Sequence, residues 1–215
     1  MKIYIPIKEN SQRVPNKNFR DFGGLPLWES TINKLTDFDV IVDTDSKEII
    51  DKCWEKSWVT AYERPEELRG DKISVVDLVK NYFFRYPTDE WICQVHVTSP
   101  FLSVKHLKDL ESQSKTWQHD SAFSVDVVQN RFWRSENYGF VPVNHNPMKL
   151  EQTQDLPKYY MENSYFYLFT TDVLKLGNRV GKNPALIPIG FPYNIDIDTE
   201  SDWELVTGLL NSATT

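Results

Sequence analysis

KIYIPIKENSQRVPNKN, residues 2–18, is the stretch on which the fold turns. Its first six residues are an almost unbroken apolar run, the pattern of a strand buried inside a parallel sheet. The run then breaks into a loop too rich in proline and asparagine to be helical. That loop carries Lys8, Arg13 and Lys17 within ten residues. In open α/β sheets ligands bind beyond the carboxyl ends of the strands. Backbone N–H groups together with lysine and arginine at that place suit a polyphosphate. The same composition also fits a plain solvated loop. A Walker loop and a GxGxxG fingerprint are both absent from the sequence.

Outward from this stretch, short apolar runs alternate with amphipathic segments. Strands are expected at 2–7, 38–43, 57–62, 90–97, 121–128, 165–170, 185–189 and 193–198. Helices are expected near 26–35, 46–56, 73–85, 103–114, 171–177 and 200–211. Pro26 suits a first helical turn. Asp45 with Glu48, and Thr199 with Asp202, have capping-box spacing, and Lys34 is placed on a helix surface. Repeated strand–helix units imply an α/β fold with a mainly parallel sheet. Residues 129–163 break the rhythm: two short apolar runs flank Glu136-Asn137-Tyr138-Gly139, a hairpin signal. The chain reads as one domain, 1–215, with an excursion at about 129–163.

The composition narrows the function. The chain has 215 residues, 40% hydrophobic and 26% charged, with a net charge of −7. A broad nucleic-acid surface needs the opposite balance. No apolar stretch approaches the length of a membrane span. The opening MKIYIPIKEN meets Lys8 too soon for a signal peptide, so a cytoplasmic location is expected. Cys53 and Cys93 cannot build a disulfide framework, and four scattered histidines lack zinc-ligand spacing.

Three further segments carry chemistry. In Asn194-Ile195-Asp196-Ile197-Asp198-Thr199, strand geometry puts Asp196 and Asp198 on one face. Two adjacent carboxylates repel unless a cation sits between them, and hard oxygen ligands suit magnesium. Arg64, in ERPEELRGD (63–71), can reach the same sheet edge or serve a surface turn. His96 and Thr98 follow a strongly apolar strand in HVTSPF (96–101), where a lone histidine is as much a structural group as a ligand.

Taken together, these segments resemble the acylneuraminate cytidylyltransferases, the CMP-sialic acid synthetases. The carriers are PIKENSQRVPNKN (6–18), GGLPL (23–27), VDTDSKEI (42–49), ERPEELRGD (63–71), VTSPF (97–101), TQDLPKYYMENSYFYL (153–168) and IDIDTESDWELV (195–206), in the family's order and over nearly the whole chain. The resemblance implies a nucleotide-diphosphosugar-transferase-like, Rossmann-like α/β fold. It also implies a homodimer in which the hairpin excursion is a dimerisation arm reaching the neighbour's sugar site. The implied reaction is CTP plus a nonulosonic acid giving CMP-nonulosonate and pyrophosphate, with Mg2+, for surface glycans.

Residue by residue, Lys8, Ser11, Arg13, Lys17 and Asn18 fall on the triphosphate and cytidine loop, and Arg64 on a cytidine-contacting arginine. Asp196 and Asp198 fall on the metal pair, with Arg13, Lys17 and Asp198 as the catalytic set. His96 and Thr98 fall on base or sugar contacts, and Gln154, Asp155 and Asn163 on the sugar-facing segment. The sequence departs from the family at Lys8 and Gln12, where the family has arginine and lysine, and at His96, where it has glutamine. It departs again at Thr153 and Met161, where sialic acid enzymes place arginines. Those last two point toward a less polar sugar, of legionaminic or pseudaminic type. The alternatives are a 3-deoxy-octulosonate cytidylyltransferase and a non-catalytic nucleotide-sugar-binding homologue; the intact IDIDT and TQDLP segments favour the nine-carbon branch.

Overall fold

The computed structural model describes residues 1–70 and 72–213. Asp71, the last residue of the ERPEELRGD segment, lies outside them. A seven-stranded sheet runs in the order β3-β2-β1-β4-β8-β5-β9. The strands are β1 (Lys2–Ile7), β2 (Asp39–Thr44), β3 (Val59–Glu63), β4 (Ile92–Val95), β5 (Ser121–Val128), β8 (Tyr159–Phe169) and β9 (Pro184–Pro188). β1 pairs in parallel with both β2 and β4, and β2 with β3. β8 is antiparallel to β4 and β5, and β9 is parallel to β5. β8 alone therefore runs against the rest. β6 (Trp133–Glu136) and β7 (Gly139–Pro142) form a separate hairpin around Asn137 and Tyr138.

The apolar runs are explained by burial on both faces of the sheet. On one side Ile3, Ile5 and Ile7 of β1 pack with Trp28 and Ile32 of α1 (Leu27–Ile32), Ile49 of α2 (Lys47–Cys53) and Leu107 of α4 (Val104–Ser114). On the other, Tyr4 and Ile41 pack with Leu78, Val79, Tyr82 and Phe83 of α3 (Val75–Arg85) and with Val173 and Leu174 of α5 (Thr171–Lys175). A small third cluster joins Phe22, Leu27 and Ile197 to Val206 of α6 (Glu200–Ala213). It seats the chain entering α6 against the loop after β1.

The expected elements shift in four places. Residues 193–198 form no strand: their N–H groups are spent in turns, Asn194 on Gly190 and Ile195 on Pro192, and Ile197 N–H donates to the Thr98 carbonyl at 2.9 Å. β8 begins at Tyr159, not near 165. Its polar first half pairs with β5 beyond a register shift between Phe123 and Val125, so the excursion ends there and not at 163. Asp45 caps no helix; its Oδ1 accepts from the Glu9 N–H at 2.8 Å, and Ser46 occupies the N-cap of α2. Lys34 is no free surface cation, since its Nζ donates to the Pro100 carbonyl at 2.6 Å and burial lowers its pKa. The Thr199–Asp202 box forms as expected, with both Asp198 and Thr199 N–H donating to Asp202 Oδ2.

Candidate active site

The register Ile7↔Thr44↔Glu63 aligns the ends of β1, β2 and β3, and β4 ends beside them. The residues that follow each strand therefore meet at one edge. A cavity of about 420 Å³ opens there, lined among others by Lys8, Ser11, Arg13, Lys17, Asn18, Arg64, His96 and Thr98. The structure thus brings together all eight residues placed on the nucleotide half and on the TSP turn.

The loop is built by its own sequence. Asn16 adopts φ 53°, a left-handed conformation that asparagine tolerates. The turn it makes leads into a 3₁₀ helix over Lys17–Phe19 that buries Lys17 and Asn18. The Lys17 ammonium donates to the Ile197 carbonyl. Burial lowers its pKa, against the attraction of Asp196 and Asp198. Asn18 Nδ2 donates to the Lys8 carbonyl at 2.7 Å, while its Oδ1 is buried without a partner. Lys8 Nζ reaches the Gly70 carbonyl at 2.8 Å.

Arg64 is fully buried at the cavity wall. Its Nε donates to Asp43 Oδ1 at 2.7 Å and its Nη2 to the Asp43 carbonyl at 2.8 Å, leaving Nη1 without a partner. Tyr4 donates its hydroxyl to the other Asp43 oxygen. Burial pushes the Asp43 carboxyl up, opposed by Arg64. This Tyr4–Asp43–Arg64 group was not singled out in the sequence, although a charge at the end of the run FDVIVD is a usable signal.

Asp198 pairs with Arg13 at 2.6 Å, both groups largely exposed. Asp196 presents a buried Oδ1 with no hydrogen-bond partner. Asp196 and Asp198 flank the buried Ile197 on an extended but unpaired segment, and both act on Lys17. Neither carboxylate lines the cavity itself; their charges meet it through Lys17 and Arg13, which do. Among the described residues no cluster of three or more histidine, cysteine, aspartate or glutamate side chains could hold a metal. Two carboxylates, one of them with an orphaned oxygen, fit magnesium, which is commonly held by one or two carboxylates together with substrate phosphates and water.

A clamp that the sequence did not reveal joins the loop after β1 to the first turn of α6. Arg20 donates to both carboxylate oxygens of Glu200, at 2.6 and 2.7 Å, and from Nε to the Pro15 carbonyl at 3.0 Å. The residues placed on the sugar half lie outside this cavity. Gln154 and Asp155 are exposed on a single 3₁₀ turn. Asn163 spends its amide on Asp126 and on the Ile189 carbonyl, each at 3.1 Å.

Among known proteins, N-acylneuraminate cytidylyltransferase A of Danio rerio is 28% identical over 202 residues, covering 90% of this chain and 46% of the fish protein. The chain therefore spans about half the length of that relative. Pseudaminic acid cytidylyltransferase of Campylobacter jejuni is 26% identical over 215 residues, covering 93% of this chain and 91% of its own. The solved structure of a CMP:2-keto-3-deoxy-manno-octonic acid synthetase with CTP superposes with a TM-score of 0.68 at 14% identity, over 98% of both chains. That likeness establishes the nucleotide-diphosphosugar-transferase fold. The family pattern described as cytidylyltransferase matches residues 3–186, and on that span the chain belongs to the cytidylyltransferase family.

Proposed function

We propose that the protein transfers CMP from CTP to a nonulosonic acid, releasing pyrophosphate. The observation that carries this reading is the meeting of Lys8, Arg13 and Lys17 with Asp196 and Asp198 at one sheet edge. The anomeric hydroxyl attacks the α-phosphorus in line and gives its proton to solvent, the bond to the bridging oxygen breaks, and pyrophosphate leaves with the electron pair. Such a reaction needs positioning and charge neutralisation and no covalent enzyme intermediate. Lys17 and Arg13 neutralise the polyphosphate, Lys8 and Ser11 hold it, and Asn18 Oδ1, Arg64 Nη1 and Thr98 are free to meet the nucleotide. Asp196 and Asp198 would hold magnesium, which when bound neutralises phosphate charge. Gln154, Asp155 and Asn163, which lie outside this subunit's cavity, take their proposed sugar roles through the arm reaching the neighbour's site.

The arm supports a homodimer. Tyr138, Phe140, Met148 and Leu150 are exposed on it, the last two at 92%, and Tyr160 and Met161 are exposed on opposite faces of β8. Large apolar side chains left exposed in such number mark a protein interface. No helix among the described residues is long and apolar enough to cross a membrane, and we place the reaction in the cytoplasm.

Pyrophosphate release is the test, with CTP, ATP, GTP and UTP each offered against N-acetylneuraminate, legionaminic, pseudaminic and 3-deoxy-octulosonic acids. The expected result is CTP-dependent release with a nonulosonate, favouring the legionaminic or pseudaminic type. Release with 3-deoxy-octulosonate alone would move the assignment to that branch. Nucleotide binding without release from any sugar would make the protein a binding homologue.

A further inference from the structure

Behind the cavity, a line of polar side chains runs from the exposed Glu162 to His96, with Tyr167 and Gln94 buried along it. Arg179, in the stretch between α5 and β9, lies 3.5 Å over the centre of the Tyr167 ring. The Tyr167 hydroxyl is held by Glu162 Oε2 at 2.8 Å. Arg179 Nη1 donates to Gln94 Oε1 at 2.6 Å. Gln94 is fully buried, and its Nε2 stands 2.7 Å from His96 Nε2.

Donor counting fixes the protons along this line. An arginine side chain only donates, so the amide oxygen of Gln94 must face Arg179. The amide nitrogen then faces His96 and must donate. His96 Nε2 therefore accepts, and the ring's single proton sits on Nδ1. Nδ1 makes no hydrogen bond to any described residue, and His96 lines the cavity.

We propose that Arg179, acting through Gln94, locks His96 as the neutral Nδ1–H tautomer, so that the ring offers the substrate a hydrogen-bond donor and no acceptor. Arg179 and Gln94 are positioning residues, and the ligand atom that His96 meets is an acceptor oxygen. The proposed substrates carry many, on the base carbonyl, the phosphates and the sugar carboxylate. Burial agrees with the lock: it lowers the His96 pKa to about 4, with Arg179 and Lys17 pressing the same way and Asp196 and Asp198 opposing. An imidazolium would also set two donors against each other at Nε2.

The consequence for binding rests on the cytidylyltransferase reading, but the tautomer does not. Ring ¹⁵N resonances of the ligand-free protein, assigned with His96→Gln, should show a protonated Nδ1 and a bare Nε2. Gln94→Glu places a carboxylate oxygen against Nε2 and should move the proton there. Arg179→Met frees the amide to rotate and should give a mixture; being only half-buried, Arg179 is the safer site should Gln94→Glu fail to fold. A protonated Nε2 in the parent protein, or an unchanged spectrum in Arg179→Met, overturns the lock. In steady state, Arg179→Met should raise KM for one substrate by up to about tenfold with kcat less affected, since a neutral hydrogen bond carries roughly that much. A shifted proton with unchanged KM would refute the donor role, whereas a parent inactive with every sugar would refute the function and leave the lock standing.

Discussion

Lys17→Met separates what the buried ammonium does for the fold from what it does for the reaction. Lys17 is 9% exposed, and its ammonium donates to the Ile197 carbonyl. Methionine keeps the apolar stem and removes the charge. Losing a charge-assisted hydrogen bond costs about 1.5–3 kcal/mol. Against that, the variant no longer desolvates an ammonium, a penalty that reaches several kcal/mol in a closed site. Desolvation is the largest influence on Lys17, because it outweighs two carboxylates and lowers the pKa. The two contributions nearly cancel, and urea unfolding should place the variant within about 2 kcal/mol of the parent. The reaction has no such compensation. A cation aimed at developing phosphate charge contributes about 2.7–4 kcal/mol, so kcat/KM for CTP should fall by roughly 10²–10³. Lys47→Met, on the exposed face of α2, is the control and should change neither quantity. A variant that turns over within a few-fold of the parent would refute the placement of Lys17 on the polyphosphate. One that unfolds before it can be assayed would make the ammonium structural.

Asp196→Asn and Asp198→Asn should each leave the unfolding midpoint nearly unchanged and lower magnesium-dependent turnover on the order of a hundredfold or more; near-normal activity in both would remove the metal assignment. Arg64→Met should cost about 3–5 kcal/mol in urea unfolding, because it strands the Asp43 carboxylate at 0% exposure; recovery in Arg64→Met/Asp43→Asn would identify the stranded charge as the cause. His96 gives a pH signature: its folded pKa of about 4 lies below the unfolded value of about 6.5, so the unfolded chain binds the proton first as pH falls. Its stabilising contribution should be complete above about pH 6.5 and fade toward pH 4 at up to about 1.4 kcal/mol per unit, and His96→Gln should flatten that part of the profile.

Most of the sheet was legible because its signal is local. β1 and β2 are continuous apolar runs, and each is followed at once by polar residues that end it. β8 was half legible: Tyr165–Phe169 is apolar, but Tyr159–Asn163 carries polar groups on a ribbon exposed to solvent, where burial imposes no pattern. The segment at 193–198 misled for a related reason. Alternation of Ile and Asp reports which side is buried, not whether a neighbouring strand is there to pair. At the site, the gathering of Lys8, Arg13 and Lys17 at one sheet edge could be read from residue type and place. The Arg20–Glu200 clamp and the Arg179–Gln94 contact could not, since their partners stand 180 and 85 residues apart in sequence. Long-range pairs of that kind leave no periodicity to find.

The charges at this site are held in two tiers. Its deep charges are tied to protein: Arg64 to Asp43, and Lys17 to the Ile197 carbonyl. Its outer charges are tied to each other, Arg13 to Asp198, at a place where 68% and 41% of the two side chains remain in water. An exposed pair of that kind is worth only about 0–1 kcal/mol. It is weak enough to be traded away. On the proposed reading, a nucleoside triphosphate and its cation would offer phosphate to Arg13 and the cation to Asp198. Each would gain a partner of higher charge than the one it gives up. The exchange would require no change in the Arg20–Glu200 clamp, which holds the loop after β1 to the start of α6. Rigid walls with a cheaply broken pair between them are what a transfer reaction governed by positioning needs: the geometry is set in advance, and only the outermost side chains reorganise.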